Sequence, residues 1–568
     1  MGPRRLSTCL VLLLACGGET AAPSGGFGGV SWSGGGAVGG AGLSTGGSTG
    51  DGAAMPNGGA GGGGGAGGAA PTERAFESRV LYLALTDRFQ NGDPTNDAAG
   101  DASCFDAADP IKFHGGDFTG LRTRLAYLSE LGASALWITP VYRQTGPHNG
   151  QCGYHGYWAD YSDDPAIGLE PKLGTDVELD ALLADAHDRD IAVLADMVVN
   201  HSGRGAALVS SRPDWFHAAA TCASLGDPVV YCPLSGLPDF AQENPDVAAY
   251  LTTSSVGFLG RFAFDGVRMD TAKHVYRPYF ADDWVPAVRA LRPEAFLLAE
   301  VFDDSGPAAL EPLLDTGFDS AFGFALHTGL VNAFAKGGKL DGVASPVQAA
   351  VSTLGLARAS RLVNFVDNHD VPRFPSEMPT GLSTTEATAR YRSALVALFT
   401  APGIPQLLYG DELGMIGKYP DNRRDMPSWA WDPATRSGSF SGYLGDPAET
   451  FDLVATLARA RVDNPALHRG RYVELWRPNG SADDVFAFFR GDGDSRVIAI
   501  FNNSTHAIAE LKPKIQSNPG LEQADRDALA DGTALTVIAQ VGDADASLAD
   551  GRLVLHLGAN SALVVRAP

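Results

Sequence analysis

From about Phe76 onward, short apolar runs alternate with amphipathic stretches of helical period, which restricts the chain to a fold where strands and helices follow one another. The runs Val80 to Thr86, Ala135 to Thr139, Ala192 to Met197, Phe264 to Met269, Phe296 to Ala299, Phe318 to Phe324, Leu362 to Val366 and Ile404 to Tyr409 read as buried strands. Most intervals between them have room for a helix; in Asp176 to Asp188, Leu179, Leu182, Leu183 and Ala186 share one face. Eight strands in this rhythm predict a closed α/β barrel, placed at 76–465. The interval His201 to Pro245 is longer and rich in Pro, Ser and Cys, predicting a small inserted subdomain over 202–245. Beyond about Asn464 the helical period ends. Short runs at Tyr472 to Trp476, Val485 to Arg490, Val497 to Asn502, Leu535 to Ala539, Leu553 to Leu557 and Ala562 to Val565 predict an antiparallel β domain over 466–568.

The first part of the chain is different. Residues 1–15 carry Arg4 and Arg5 and then an apolar stretch from Leu10 to Ala15, too short to span a bilayer, and read as a signal peptide. Leu13-Leu14-Ala15-Cys16 resembles a bacterial lipoprotein signal, in which cleavage before the cysteine leaves Cys16 lipidated; an ordinary cleaved signal is the alternative. Gly17 to Pro71 is mostly Gly, Ala and Ser and cannot bury enough apolar surface to offset its ordering entropy, so 16–75 is expected to be a tether. These features predict an exported protein, on the cell envelope or secreted, whose folded part touches the membrane only through its lipid and is a monomer. Beyond Cys16 four cysteines remain, Cys104, Cys152, Cys222 and Cys232, and allow three pairings or free thiols. The short Cys222 to Cys232 spacing favours a local bridge, and Cys104 with Cys152 would then join the loops after the first two strands. A formal charge of -24 argues against nucleic acid and fits a neutral substrate and bound cations.

Three carboxylates stand at the ends of three predicted strands. Asp270 lies in Gly266-Val267-Arg268-Met269-Asp270-Thr271-Ala272-Lys273-His274, Glu300 in Leu298-Ala299-Glu300-Val301, and Asp370 closes the run from Leu362. Acids projecting from one barrel face suit glycosidic-bond chemistry. A hydrophobic surround and two neighbouring aspartates would raise the Glu300 pKa, while Arg268, on the same strand face as Asp270, would keep Asp270 ionised.

From about Arg79 onward the chain resembles the α-amylase superfamily of glycoside hydrolases. Asp196-Met197-Val198-Val199-Asn200-His201, Leu237-Pro238-Asp239-Phe240, Gly266 to His274, Glu300 and Phe365-Val366-Asp367-Asn368-His369-Asp370 follow one another in family order. The resemblance implies a (β/α)8 TIM barrel with a subdomain after strand 3 and a C-terminal antiparallel β domain. It makes Asp270 the nucleophile, Glu300 the general acid and base, and Asp370 the transition-state stabiliser of a retaining enzyme, in which nucleophile and acid stand roughly 5 to 5.5 Å apart. By the same resemblance His155, His201 and His369 hydrogen-bond the sugar being cleaved and Tyr157 stacks on it. Arg268 belongs to the same motif, Lys273 and His274 face the leaving group, and Arg423 bounds the donor side. Phe302 and Trp158 are further candidate sugar platforms, core packing being the alternative for each.

Calcium is the expected metal. Asn91, Asp93, Asn96 and Asp97 cluster in a turn-rich loop that suits a hard cation, and resemble the first calcium loop of cyclodextrin glucanotransferases, which Gly115 and Asp117 would complete. A second site would use Asn200, Asp239 and the carbonyl of His274, with that of Val230. Where glucanotransferases carry an aromatic residue for the glucan to wrap around, spacing to Asp239 places Ser235, and no starch-binding domain follows the single β domain. The expected activity is therefore endo-hydrolysis of α-1,4-glucosidic bonds in starch or maltodextrins. A glucanotransferase-like transglycosylase or a cyclodextrin-cleaving relative is the alternative within the family, and a non-catalytic glucan-binding lipoprotein the alternative outside it.

Overall fold

The computed structural model describes residues 74–478 and 483–568. The expected leader, Cys16 and the glycine-rich segment up to residue 73 lie outside the described residues.

Eight strands form one parallel sheet: β1 (Leu81–Ala84), β2 (Ala135–Ile138), β3 (Ala192–Met197), β4 (Gly266–Met269), β5 (Phe296–Ala299), β6 (Ser320–Ala321), β7 (Val363–Phe365) and β8 (Ile404–Leu408). They pair in the order β6-β5-β4-β3-β2-β1-β8-β7. A parallel bridge between Phe322 and Val363, with the Gly323 N–H donating to the Val363 carbonyl at 2.8 Å, ties β6 to β7 and closes the (β/α)8 barrel. Every strand residue is buried, which is why the strands read as continuous apolar runs and not as alternating ones. Strand β6 is shorter than the run Phe318 to Phe324 suggests, because the chain turns at Gly323 into the helix Phe324–Leu330. A Cβ at Gly323 would lie 2.2 Å from Asn364 Oδ1, so only glycine lets this turn pack against β7.

The helix Asp176–His187 buries Leu179, Leu182, Leu183 and Ala186, and a reciprocal Thr175–Glu178 capping box starts it. After β3 the chain runs through short helical turns, Ala207–Ser211, Pro213–Trp215, Cys222–Ser224, Pro228–Tyr231 and Leu234–Gly236. Bridges from His201 to Asp239 and from Phe216 to Phe240 return it to the barrel. The disulfides are Cys222–Cys232, within this excursion, and Cys104–Cys152, between the loops after β1 and β2, with Cα atoms 5.1 and 5.7 Å apart. The loop after β2 is also long and folds on itself through Tyr142–Leu169 and Gln144–Ala159 bridges. It carries His155 and Tyr157.

The C-terminal region is two packed antiparallel sheets. Strands β9 (Arg471–Trp476), β10 (Val485–Asp492), β11 (Ser495–Asn502), β13 (Thr536–Val541) and β16 (Ser561–Ala567) form one; β12 (Ile508–Leu511), β14 (Ala544–Ala549) and β15 (Arg552–Leu557) form the other. Alternation along β10 divides its side chains between two cores. Phe486 and Phe488 join the core shared with the barrel, while Val485, Ala487 and Phe489 pack with Leu553, Leu555 and Leu557 of the second sheet. Among the described residues no helix is long and apolar enough to cross a membrane.

Candidate active site

The site is built around one buried guanidinium. Arg268 on β4 is fully buried, and its Nη1 donates to Asp270 Oδ1 at 2.7 Å and to Asp196 Oδ1 at 3.0 Å, while its Nη2 lies 2.7 Å from Glu300 Oε1. Because β3, β4 and β5 are adjacent and parallel, their C-terminal ends bring Asp196, Asp270 and Glu300 to the same rim of the barrel. The carboxylates of Asp270 and Glu300 are thus held at opposite ends of one planar fork. The flat face of the guanidinium lies 4.7 Å from the Trp137 ring centroid.

The residue after Asp270 breaks a local rule. Thr271 is β-branched, yet takes the left-handed conformation, with φ 45° and ψ 33°. Such a conformation costs about 1–3 kcal/mol and persists only where its surroundings impose it. Here it lets the Thr271 N–H donate to Glu300 Oε2 at 2.8 Å and its hydroxyl donate to Asp270 Oδ2 at 3.0 Å. One strained residue therefore positions both carboxylates.

Burial pushes the Glu300 carboxyl up to about 8; Arg268 opposes this, and the charges of Asp270 and Asp370 add to it. Glu300 is consequently mostly protonated at neutral pH, despite its contact with Arg268. Burial also opposes ionisation of Asp370, but interactions with His369, Arg423 and Arg268 outweigh it and hold this carboxyl below its usual range; with His369 itself lowered to about 3, the two guanidiniums supply the charge at neutral pH. Arg423 Nη2 donates to Asp370 Oδ1 at 3.0 Å, and its Nε donates to the His369 carbonyl at 2.7 Å. A raised Glu300 beside a lowered Asp370 gives the site one carboxyl that can donate a proton and one fixed negative charge that can face a developing positive charge.

The remaining sugar-site residues form a desolvated wall. The ring of Tyr157 is stacked between His155 and His369, with centroids 5.7 and 5.4 Å away. Its hydroxyl lies 2.7 Å from Asp196 Oδ2 and 2.8 Å from His369 Nε2. Burial lowers the pKa of His155, His201, His274 and His369, the last to about 3, so all four rings are neutral at pH 7. His155 Nε2 and His369 Nδ1 are buried without a protein partner, as expected of groups that await a ligand hydroxyl. His201 Nε2 lies 3.1 Å from the Tyr157 carbonyl. On the other side of Glu300, Lys273 Nζ donates to Asp303 Oδ2 at 2.9 Å and to the Phe302 carbonyl at 3.1 Å, and His274 Nδ1 contacts the Val229 carbonyl at 2.9 Å.

Of the two candidate platforms, the Phe302 ring is 42% exposed beside Glu300, whereas Trp158 is 1% exposed and packs edge-on against His155. Trp158 is a core residue, because the folded loop after β2 covers it. Sequence reasoning missed Asp196 as a site residue. It heads a quoted motif at the end of β3, and in the fold its carboxylate also accepts the Trp137 indole N–H at 2.9 Å. Asn422 was missed as well: its Nδ2 donates to the carbonyls of His369 and Val371, at 3.1 and 3.0 Å, clamping the backbone on both sides of Asp370. Neither pairing has a signal in local patterning.

The family profile "Alpha amylase, catalytic domain" matches residues 83–220 and 229–442. The chain belongs to the α-amylase family. It is an enzyme of the glycoside hydrolase or transglycosylase type that this family comprises. A maltogenic α-amylase of Bacillus acidopullulyticus is 26% identical over 76% of the chain and 70% of its own length. A cyclomaltodextrin glucanotransferase of Klebsiella oxytoca is 26% identical over 86% of the chain and 78% of its own length. A "Beta/alpha-amylase" of Paenibacillus polymyxa is 29% identical over 76% of the chain, which spans 34% of that longer protein. Among solved structures, the α-amylase of Geobacillus thermoleovorans complexed with acarbose superposes with a TM-score of 0.71 at 27% identity, covering 87% of this chain and 99% of that one.

The loop after β1 carries the first set of candidate calcium ligands. Asn91 Oδ1 and Asn96 Oδ1 are buried with no hydrogen-bond partner. Asn91 Nδ2 donates to Asp97 Oδ1 at 2.8 Å, and a Cβ at Gly115 would fall 2.4 Å from that oxygen, so Gly115 leaves room for a convergent oxygen cluster. Burial, with the charges of Asp117 and Asp93, holds the Asp97 carboxyl above its usual range. Asp117 accepts the backbone N–H groups of Gly92, Asp93 and Gly120, which shapes the loop, and Asp93 accepts from Thr95. At the second candidate site the bridge from His201 to Asp239 sets Asn200 beside Asp239, and Asn200 Oδ1 is again buried and unpartnered. Asp239 Oδ2 lies 2.7 Å from His217 Nδ1.

Proposed function

We propose that the enzyme hydrolyses internal α-1,4-glucosidic bonds of starch or maltodextrins with retention of configuration. The observation that carries this reading is the geometry in which Arg268 holds Asp270 Oδ1 and Glu300 Oε1, each at 2.7 Å, on its two terminal nitrogens; burial of Glu300, which raises its carboxyl, supports it. Arg268 holds Asp270 Oδ1 and the Thr271 hydroxyl donates to Oδ2; Oδ2, which bears no charged partner among the described residues, attacks the anomeric carbon while Glu300 gives its proton to the departing glycosidic oxygen. Glu300, now ionised, takes a proton from water, and the resulting hydroxide displaces Asp270 from the glycosyl-enzyme. Asp370, held ionised by Arg423, stabilises the positive charge that develops on the sugar ring. His155, His201, His369 and Tyr157 orient the sugar; Lys273 and His274 face the leaving group.

Hydrolysis is favoured over cyclisation because, by spacing to Asp239, Ser235 takes the position at which a wrapping transferase carries an aromatic ring. Incubation with soluble starch and maltoheptaose tests this, with products resolved by size and anomeric form. Short linear α-anomers are expected. Cyclic or lengthened products would assign the enzyme to transglycosylation, and binding without turnover would make it a glucan-holding protein.

The acid role of Glu300 predicts the pH profile. An ordinary glutamate at 4.5 would be almost fully ionised at pH 7; raised to about 8, Glu300 still carries its proton there. The kcat/KM for maltoheptaose is expected to hold through neutral pH and to fall about tenfold per unit above about pH 8. A falling limb centred near pH 5 would remove Glu300 from the acid role.

Calcium is proposed as a structural ion, held by Asn91, Asp93, Asn96, Asp97, the Gly115 carbonyl and Asp117, and at a second site by Asn200, Asp239 and the carbonyls of His274 and Val230. It would draw acidic loops together and take no part in the chemistry. Adding EGTA is expected to lower the thermal transition by about 5 °C, on the scale of an ion held at a hundred times its Kd. An unmoved transition would rule out both sites. The Leu13-Leu14-Ala15-Cys16 motif supports an exported lipoprotein that meets glucan outside the cell. Mass spectrometry of the mature N-terminus decides between a lipidated Cys16 and an ordinary cleaved end.

A further inference from the structure

Two aromatic rings are found among the exposed large apolar side chains of the described residues, and both stand at the acid site: Phe302, 42% exposed, and Tyr419, 38% exposed. Phe302 lies two residues beyond Glu300, on the leaving-group side. Tyr419 lies in the loop after β8, three strands around the closed barrel from β5, with the Arg423 guanidinium carbon 5.8 Å from its ring centroid. That guanidinium is the one that binds Asp370 and the His369 carbonyl.

The segment that carries Tyr419 is firmly held. Gly417 N–H donates to Ser376 Oγ at 2.8 Å, and the Gly417 carbonyl accepts from Arg373 N–H at 2.9 Å. Three residues beyond Tyr419, Asn422 clamps the His369 and Val371 carbonyls, and its own carbonyl accepts from Arg373 Nε at 2.9 Å. An exposed ring on a rigid support beside a catalytic carboxylate loses little entropy on binding, and a flat apolar face there matches the C–H face of a pyranose.

We propose that Tyr419 is a specificity-determining residue: a stacking platform for the glucose unit adjoining the cleaved one on the side away from the leaving group. With Phe302 on the far side of Glu300, this sets apolar rings at both ends of the acid cluster and makes a glucan of several units the ligand the cleft fits. The inference rests on the glucan reading of the site, and the test separates the two.

In a Glu300→Gln background, which stops turnover, titration calorimetry with maltoheptaose is compared with and without Tyr419→Ala and Tyr419→Phe. Tyr419→Ala is expected to weaken Kd about tenfold, whereas Tyr419→Phe, which keeps the ring, should stay within about twofold. An unchanged Kd in Tyr419→Ala overturns the platform and leaves the glucan reading intact. Equal losses in both variants overturn it too, by assigning the effect to the hydroxyl. No maltoheptaose binding in any variant overturns both. A tenfold loss combined with no turnover by the Glu300 enzyme would keep the platform and discard hydrolysis. Matching thermal transitions of the variants establish that they are folded.

Discussion

Replacing Asp270 by asparagine is expected to lower kcat on maltoheptaose by about 10⁴-fold or more, the scale of losing a catalytic nucleophile. The amide has nearly the same shape, and Arg268 keeps Asp196 and Glu300 as partners, so the fold and glucan binding should persist. The substitution also removes a negative charge that raises the Glu300 pKa, so the alkaline limb of any residual activity should move toward acid. Single-turnover kinetics with purified variant, alongside calorimetric binding, measures both. Unchanged turnover would sink the nucleophile assignment, and lost binding together with a lost thermal transition would show that Asp270 is needed for folding.

The largest loss of stability should come from Arg268→Met. The guanidinium is fully buried and is shared by Asp196, Asp270 and Glu300. Removing it leaves three carboxyls facing one another without a cation, and breaking a buried pair of this kind costs roughly 3–5 kcal/mol. Burial already raises Asp196 to about 7 with Arg268 present to oppose it. Without the guanidinium, the penalty should grow as pH rises and these carboxyls are forced to ionise, and shrink in acid, where they are neutral. Urea unfolding at pH 5 and pH 8 measures the difference; equal losses at both would show that packing against Trp137, and not charge, is what Arg268 supplies. Arg268→Lys should rescue little, because one ammonium cannot span the positions occupied by the two guanidinium nitrogens.

The barrel was legible in the chain because a strand buried on both faces leaves an uninterrupted apolar run, and a helix on its surface leaves a 3.6-residue stripe. Asp270 and Glu300 could be placed for the same reason, since each directly follows such a run and parallel strands deliver their C-terminal ends to one rim, whereas Asp370 lies five residues beyond the end of β7. Strands β12 and β14 were not legible. Ala544–Ala549 has few β-branched or aromatic residues and is a strand because β15 pairs with it. Strand β6 was read too long because nothing local shows that Gly323 must turn to clear Asn364. The Asn422 clamp on the Asp370 loop, the sharing of Arg268 by three acids, the burial of Trp158 and the exposure of Tyr419 depend on which loops meet across the rim. Local patterning therefore dictated the strands, the helices and the residue types available for chemistry. Packing between segments far apart in the chain decided which carboxyl keeps its proton and which rings face the cleft, because desolvation and contact are properties of the assembled site and not of any one segment.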